Sequence, residues 1–190
     1  MIAALIAAVL IVVVLIWAVM VYNGLVGLKH GVAQSWANID VVLKQRHDEL
    51  PKLVETCKQY KQFEGETLEK VIAARGRAEG ARQSGNVAAV GAAEAMLGGA
   101  LGRLFAVVEA YPELKANEMF RDLQARISAL ENTIADRREL YNAAVNLNNV
   151  RIDEFPDLLV ARLTGFRAAT LLSFDSAETA DVDVKKLFAA

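Results

Sequence analysis

The sequence predicts an all-α protein in which an N-terminal transmembrane helix is followed by an antiparallel four-helix bundle of long, coiled-coil-like helices. Three observations support this fold class. The first 22 of the 190 residues are all apolar, and the first charged side chain is Lys29. Three later stretches repeat apolar residues at helical spacing. After residue 22 no stretch carries a convincing strand pattern.

Residues 1–22 are predicted to be a transmembrane anchor. As a helix, 2–22 would be about 31 Å long, close to the hydrocarbon core of about 30 Å. No Lys or Arg precedes the run, and it is longer than the apolar region of a signal peptide, so we expect the anchor to be retained rather than cleaved. Trp17 and Tyr22 are the predicted membrane-interface residues.

The basic residues around the anchor predict its orientation. Lys29, Lys44 and Arg46 all follow the apolar run, whereas only the α-amino group precedes it. Because basic residues are retained on the cytoplasmic side, we expect the N-terminus outside and residues 23–174 as a cytoplasmic bundle. The single cysteine, Cys57, is compatible with that reducing compartment and is expected to be a buried, inert side chain.

Apolar heptad-like series predict the long helices of the bundle. In the first stretch the series are Trp36, Leu43, Leu50 and Cys57, with Val32, Ile39, Leu53 and Tyr60. In the last stretch they are Phe120, Ile127, Ile134 and Tyr141, with Leu123, Leu130 and Ala144. The middle stretch carries Leu97, Leu101, Leu104, Val108 and Tyr111. Each series forms an apolar seam that must be buried against other helices.

Glycine, proline and asparagine residues predict where the helices end. A loop between the second helix (about 65–81) and the third is predicted from Gly76, Gly80, Ser84, Gly85 and Asn86. Tyr111-Pro112 should end the third helix, and Asn117 should cap the fourth. Phe155-Pro156 should start a short last element that runs to about Leu163. Residues 175–190 are predicted to be a mobile or peripheral tail.

The anchor and the first bundle helix are predicted to form one long helix. No proline or polar run separates Tyr22 from the seam that starts at Val32, although Gly24, Gly27 and Gly31 weaken the helix locally. Pro51 lies inside the apolar series and removes one backbone hydrogen bond, so we expect a kink near 47–51.

Segments along nearly the whole chain resemble the LemA family. They are 22–26, 36–56 with its Asp48-Glu49-Leu50-Pro51, 100–104, 109–117 with its Tyr111-Pro112, Phe120 with Leu123-Gln124, Tyr141-Asn142, Phe155-Pro156 and Gly165-Phe166. The resemblance implies one membrane helix and an antiparallel helical bundle at the bacterial plasma (inner) membrane. It implies no activity, because the family has no settled biochemical function. Two departures are Cys57, where relatives usually carry an aliphatic residue, and Leu147-Asn148-Asn149, where a tyrosine-asparagine pair is usual.

A polar cluster around Asp40, Arg46 and His47 is the densest candidate site. Arg46 falls in the seam between Ile39 and Leu53, so we expect it to pair with a carboxylate of a neighbouring helix and fix register. Arg137 holds a similar position in the last helix, which suggests a polar layer between the first and last helices. Exposed charges or a partner contact are the alternatives. A catalytic or metal-binding role for His47 is disfavoured because His30 lies 17 positions away.

A ridge of small residues marks the third helix. It consists of Gly91, Ala95, Gly98 (or Gly99), Gly102 and Ala106. Small side chains at a spacing near four allow two helix backbones to approach closely. The ridge is therefore predicted to pack against another helix, and both an intramolecular contact and a homo-oligomer interface stay open.

Motifs and charge exclude several function classes. The sequence contains no GxxxxGK[ST], GxGxxG or HExxH motif, and one cysteine cannot form a CxxC site. We therefore expect no catalytic residues, no metal and no cofactor. The net charge is −2 and basic residues are interleaved with acidic ones, so we expect no nucleic-acid partner.

These features predict a non-enzymatic, membrane-anchored scaffold or adaptor that organises itself or partner proteins. Its expected partners are the lipid bilayer, further copies of the chain and membrane or cytoplasmic proteins. One alternative is an amphipathic-ligand-binding bundle or a hydrolase at the bilayer surface, which would need a polar cavity around Arg46, His47 and Arg137. Another is membrane remodelling, with the bundle or the segment near Leu187-Phe188 pressing on lipid.

Overall fold

A computed structural model describes residues 1–60 and 63–174, and in these ranges every element is helical. The helices are α1 (Ile2–Lys58), α2 (Gly65–Ser84), α3 (Val87–Val108), α4 (Pro112–Ala116), α5 (Glu118–Asp153) and α6 (Asp157–Thr164). The predicted all-α fold class is confirmed. The tail predicted for 175–190 lies outside the described residues.

The apolar N-terminal run and the first seam form one continuous helix, as predicted. α1 is 57 residues long and includes Pro51 in its interior. At about 1.5 Å per residue it is about 85 Å long, which is far more than a bilayer requires. A kink near 47–51 stays a prediction.

Two asparagine side chains cap helices at their N-termini. The Asn117 Oδ1 atom accepts a hydrogen bond from the Phe120 backbone N–H at 2.9 Å. The fourth helix predicted from the sequence is α5 in the structure, so its predicted cap is confirmed. Asn86 caps α3 in the same way through the Ala89 N–H at 3.1 Å. These caps satisfy donors that the first helical turn leaves without a partner.

The predicted loop after the second helix is shorter than expected. Gly76 and Gly80 lie inside α2, and only Gly85, with a φ of 68°, adopts the left-handed conformation that ends the helix. Each interior glycine costs about 1 kcal/mol relative to alanine. Burial of apolar neighbours such as Val71 and Ala78 on the same helix offsets that cost.

The chain forms two compact units. Among the described residues, unit 1 contains Met1–Gln45 and Leu130–Leu171, and unit 2 contains the part of the chain from Arg46 to Ala129 together with residues 172–174. The core of unit 2 is built from the end of α1, α2, α3, α4 and the start of α5. Its fully buried side chains include Leu50, Leu53, Leu97, Leu101, Leu104, Leu114, Phe120 and Ile127.

In the described part of the chain, two helices are long and apolar enough to cross a membrane, α1 and α3. None of the most apolar stretch of α1 is buried inside the structure, whereas 39% of the corresponding stretch of α3 is buried. α3 places Leu97, Leu101 and Leu104 in the core of unit 2. Its apolar composition therefore has a packing explanation, and α1 is the better candidate for a membrane span.

Candidate membrane-proximal site

The end of the apolar run of α1 packs against the C-terminal part of unit 1. Val21 and Leu25 are buried together with Ile152 at the end of α5 and with Val160 and Ala161 of α6. Trp17, Ala18 and Phe166 pack around this cluster. α6 is therefore held beside the stretch of α1 in which the predicted anchor ends.

Both predicted membrane-interface residues belong to this region. Trp17 is half-buried against the cluster, and the exposed Tyr22 ring meets Phe166 edge-on at a centroid distance of 5.8 Å. Amphipathic aromatic rings are typical of the membrane–water boundary. Their location at that boundary stays a prediction.

α6 exposes large apolar side chains although it packs on α1. Leu159 is 51% exposed, Leu163 is 88% exposed, and Phe155 just before the helix is 75% exposed. Arg151 of α5 forms an ion pair with Asp157, the first residue of α6. One apolar face of α6 thus packs on α1, and its other apolar side chains are not covered by any described residue of unit 1.

The chain after α6 is held against α5 by side-chain hydrogen bonds. The Asn149 amide pairs with both backbone groups of Ala169: Nδ2 donates to the carbonyl oxygen at 2.9 Å, and Oδ1 accepts from the N–H at 2.8 Å. The Tyr141 hydroxyl donates to the Thr170 carbonyl oxygen at 2.9 Å, and burial raises the pKa of Tyr141. No pattern in the sequence predicted that this segment is held by the side chains of Tyr141 and Asn149.

A cavity of about 600 Å³ lies between α1, α5 and this segment. Gly165, whose φ is 76°, ends α6 and turns the chain so that the residues after it reach α1. The lining residues are Tyr22, Val26, Lys29, His30, Val32, Asn148, Thr164, Gly165, Phe166, Arg167 and Ala169. Three of them are basic side chains, and none of the eleven carries a carboxylate.

Arg46, the central residue of the predicted polar cluster, is buried in unit 2. It forms an ion pair with Glu94 of α3, and the two side chains are each 5% exposed. A neighbouring helix does supply a carboxylate, as the register hypothesis requires. The alternative of a ligand cavity at this position loses support, because the Arg46 side chain is packed against its ion-pair partner.

His47 lies beside Arg46 in a separate network. Its Nε2 atom is 3.7 Å from Glu79, and its carbonyl oxygen accepts a hydrogen bond from Arg75 Nε at 3.1 Å. Burial, and then the nearby Arg75 charge, lower the pKa of His47. Hydrogen bonds from Arg82 and then Gln83 lower the pKa of Glu79 to about 2. Residues 1–60 and 63–174 contain no group of three or more His, Cys, Asp or Glu that could hold a metal.

Asp40 and Arg137, the other two members of the predicted cluster, belong to unit 1. Both are half-buried, Asp40 on α1 and Arg137 on α5. The four predicted residues are thus divided between the two units. The predicted polar layer that combines Arg46 with Arg137 stays a prediction.

The small-residue ridge on α3 changes character along the helix. Gly91 is buried, and a Cβ atom there would overlap the Ser173 carbonyl oxygen. Ala95 and Gly98 are half-buried, whereas Gly102 and Ala106 are exposed. A Cβ atom at Gly98 or Gly102 would meet nothing within 4 Å. The beginning of the ridge makes an intramolecular contact, and its other end stays open for the oligomer hypothesis.

Cys57 is fully buried in the core of unit 2. Burial raises its pKa to about 12. A thiol reacts through its thiolate, so this environment favours the protonated and unreactive form. The location agrees with the expected structural role.

An all-helical fold with a long apolar N-terminal helix is the class of a membrane-associated helical protein. The chain belongs to the LemA family, whose model matches residues 35–185. The resemblance noted in the sequence is therefore confirmed. This membership and the apolar helix point to a membrane-associated, non-enzymatic protein.

The similar proteins are named magnetosome proteins. The chain is 32% identical over 124 residues to both "Magnetosome protein MamQ 2" and "Magnetosome protein MamQ 1" of Paramagnetospirillum magneticum, which covers 65% of this chain and 46% of each relative. It is 36% identical over 75 residues to "Magnetosome protein MamQ" of Magnetospirillum gryphiswaldense, covering 40% of this chain and 28% of the relative. The match thus spans less than half of the length of these relatives.

Proposed function

We propose that the protein is a single-pass, membrane-anchored helical scaffold that organises copies of itself or partner proteins at the bacterial plasma membrane. In this proposal residues 1–22 span the bilayer with the N-terminus outside, and the helical part lies in the cytoplasm. The protein acts by presenting helical surfaces and carries out no chemical reaction.

The observation that carries the proposal is the continuity of α1. Its apolar N-terminal part is exposed throughout residues 1–16, whereas its last turns bury Leu50, Leu53 and Cys57 in the core of unit 2. Exposed apolar surface of this size is unfavourable in water and favourable in a bilayer. One helix thus joins a lipid-compatible segment to a folded core.

The names of the relatives support a role at a membrane-bound structure, because all three are called magnetosome proteins. Anchoring also favours assembly on physical grounds. Confinement to a surface raises the effective concentration of copies, so modest lateral contacts suffice. The exposed end of the small-residue ridge, at Gly102 and Ala106, is the surface that we propose for such a contact.

Cross-linking of the full chain in native membranes, followed by blue-native electrophoresis in mild detergent, tests the scaffold. We expect species larger than the monomer. The variant Gly102→Leu/Ala106→Leu should shift them to the monomer, because the added side chains prevent close backbone approach. The matched control is Gly76→Leu/Gly80→Leu on α2, two exposed glycines with the same spacing and open surroundings.

The results separate the parts of the proposal. A wild-type protein that is strictly monomeric and has no partner would contradict the scaffold. Assemblies that survive the α3 substitutions would instead contradict the assigned face. Release of the wild-type protein from membranes by alkaline carbonate would contradict the anchor itself.

A further inference from the structure

We infer that the cavity between α1, α5 and the chain after α6 binds the phosphate of an anionic phospholipid headgroup. The inference rests on the proposed membrane anchor and adds a lipid class to it. It follows from three properties of unit 1: the charge of the cavity, its distance from the anchor, and the apolar surface beside it.

The cavity presents positive charge without compensation. Lys29, His30 and Arg167 line it, and no carboxylate does. Within 1–60 and 63–174, neither Lys29 nor Arg167 forms an ion pair or side-chain hydrogen bond. Arginine and lysine are the usual ligands of phosphate groups. A volume of about 600 Å³ is within the usual size of small-molecule sites.

With residues 1–22 in the bilayer, Lys29 comes close to the depth of a headgroup. Lys29 is seven residues beyond Tyr22, which is about 10 Å along a helix. The headgroup layer on each side of a bilayer is about 5–8 Å thick. Because a lysine side chain can extend toward the membrane surface, the Lys29 ammonium group can reach that layer. Tyr22, the residue predicted for the hydrocarbon boundary, also lines the cavity.

The apolar surface beside the cavity favours a lipid over a soluble phosphate. α6 packs on the end of the anchor through Val160 and Ala161. From the same helix Leu159 and Leu163 remain exposed, and Leu163 directly precedes the cavity residue Thr164. An amphipathic helix held at this depth places its apolar side chains against acyl chains. A soluble ligand would leave this apolar surface without a role.

Native mass spectrometry of the full chain in mild detergent tests the inference. Phosphatidylglycerol and phosphatidylcholine are titrated separately, and the fraction of protein with bound lipid is recorded. The test variant is Lys29→Gln/Arg167→Gln. The control is Lys58→Gln/Arg126→Gln, which removes the same charge from two exposed positions outside the cavity. Both double variants should keep the wild-type circular dichroism spectrum.

We expect the wild type and the control to prefer phosphatidylglycerol over phosphatidylcholine. In the test variant this preference should fall by at least about fivefold, because a single basic residue near a lipid surface contributes about that factor. An equal loss in both double variants would overturn the inference, since it would show general surface electrostatics. Tighter binding of inorganic phosphate than of phosphatidylglycerol to the wild type would also overturn it, in favour of a soluble ligand. If the wild type resists carbonate extraction but shows no preference for phosphatidylglycerol, the lipid site is refuted and the membrane anchor is not.

Discussion

At the scale of single residues, the buried ion pair of Arg46 and Glu94 is the most consequential polar feature of unit 2. Two charges this deeply buried are costly to desolvate, and their mutual attraction compensates only while both are present. Such a pair adds little net stability but penalises any packing that separates its members. This is the physical sense in which it can fix the register of α1 against α3.

Removing the carboxylate from this pair should destabilise the protein strongly. For Glu94→Gln we expect a loss of about 3 kcal/mol in the free energy of unfolding, because the Arg46 charge stays buried while its ion-pair partner becomes neutral. Urea unfolding of the full chain in mild detergent, followed by circular dichroism, measures this. The control Glu109→Gln, whose pair with Lys115 is exposed, should stay near wild type. Equal stability of all three proteins would contradict a structural role for the pair.

The environments of His47 and Glu79 predict that acid weakens the fold in two steps. The pKa of His47 is lowered on folding from 6.5, so its neutral form is favoured and stability decreases as the pH falls below about 6.5. The pKa of Glu79 is lowered from 4.5 to about 2, so its contribution is lost between these values. Urea unfolding across the acid range should show His47→Gln without the first decrease and Glu79→Gln with a smaller second one. Unchanged pH profiles would refute the assignment.

Cys57 should report on global unfolding. Because it is fully buried and burial raises its pKa to about 12, we expect no alkylation by iodoacetamide in the folded protein and full alkylation in urea. Mass spectrometry of the product measures this. In the control Cys57→Ala/Ser84→Cys, the new thiol at the exposed end of α2 should react at once. Rapid alkylation of the folded wild type would show that this part of unit 2 opens readily.

At the scale of the elements, periodicity predicted the helices that bury one face. Leu43, Leu50 and Cys57 recur every seven residues in the sequence, and all three are buried in α1. Local capping chemistry predicted the start of α5 at Asn117. Gly76 and Gly80 were misleading because a glycine signals a break only where packing does not hold the helix.

The parts that the sequence did not predict depend on contacts between distant positions. The packing of Val160 on Val21 joins residues far apart in the chain, and the pairing of Asn149 with the Ala169 backbone uses a side chain that has no pattern of its own. Periodicity within one helix carries no information on which segment covers it. The cavity between α1, α5 and the chain after α6 could therefore be recognised only in three dimensions.

The glycines of α3 should respond to substitution in opposite directions. Gly91→Ala should destabilise the protein because the added Cβ overlaps the Ser173 carbonyl oxygen, so the backbone there must move. Gly99→Ala should stabilise it by about 0.5–1 kcal/mol, since the position is exposed, has open space and gains helix propensity. Urea unfolding of both variants measures this. Stabilisation by both would show that the contact between Gly91 and the Ser173 backbone is absent in solution.

At the scale of the whole molecule, α1 connects the lipid-compatible segment and the folded core without a linker. A flexible linker would let the bundle turn freely at the membrane. A continuous helix instead fixes how far each residue in the unit 1 part of α1 lies from the end of the apolar run. In the proposed arrangement Lys29, which is seven residues beyond Tyr22, follows the bilayer by about 10 Å of helix.

The same continuity makes the orientation of the chain testable at one position. If the N-terminus is outside, everything after Tyr22 lies in the cytoplasm, including the exposed Ser128 on α5. In a Cys57→Ala/Ser128→Cys variant, intact cells should be labelled by a membrane-permeant maleimide and not by an impermeant one, and both reagents should label permeabilised cells. The Cys57→Ala protein, which has no thiol, is the control. Labelling of intact cells by the impermeant reagent would show that the topology is the reverse of the proposed one. The basic residues after the anchor would then face outward, against the charge bias from which the orientation was predicted.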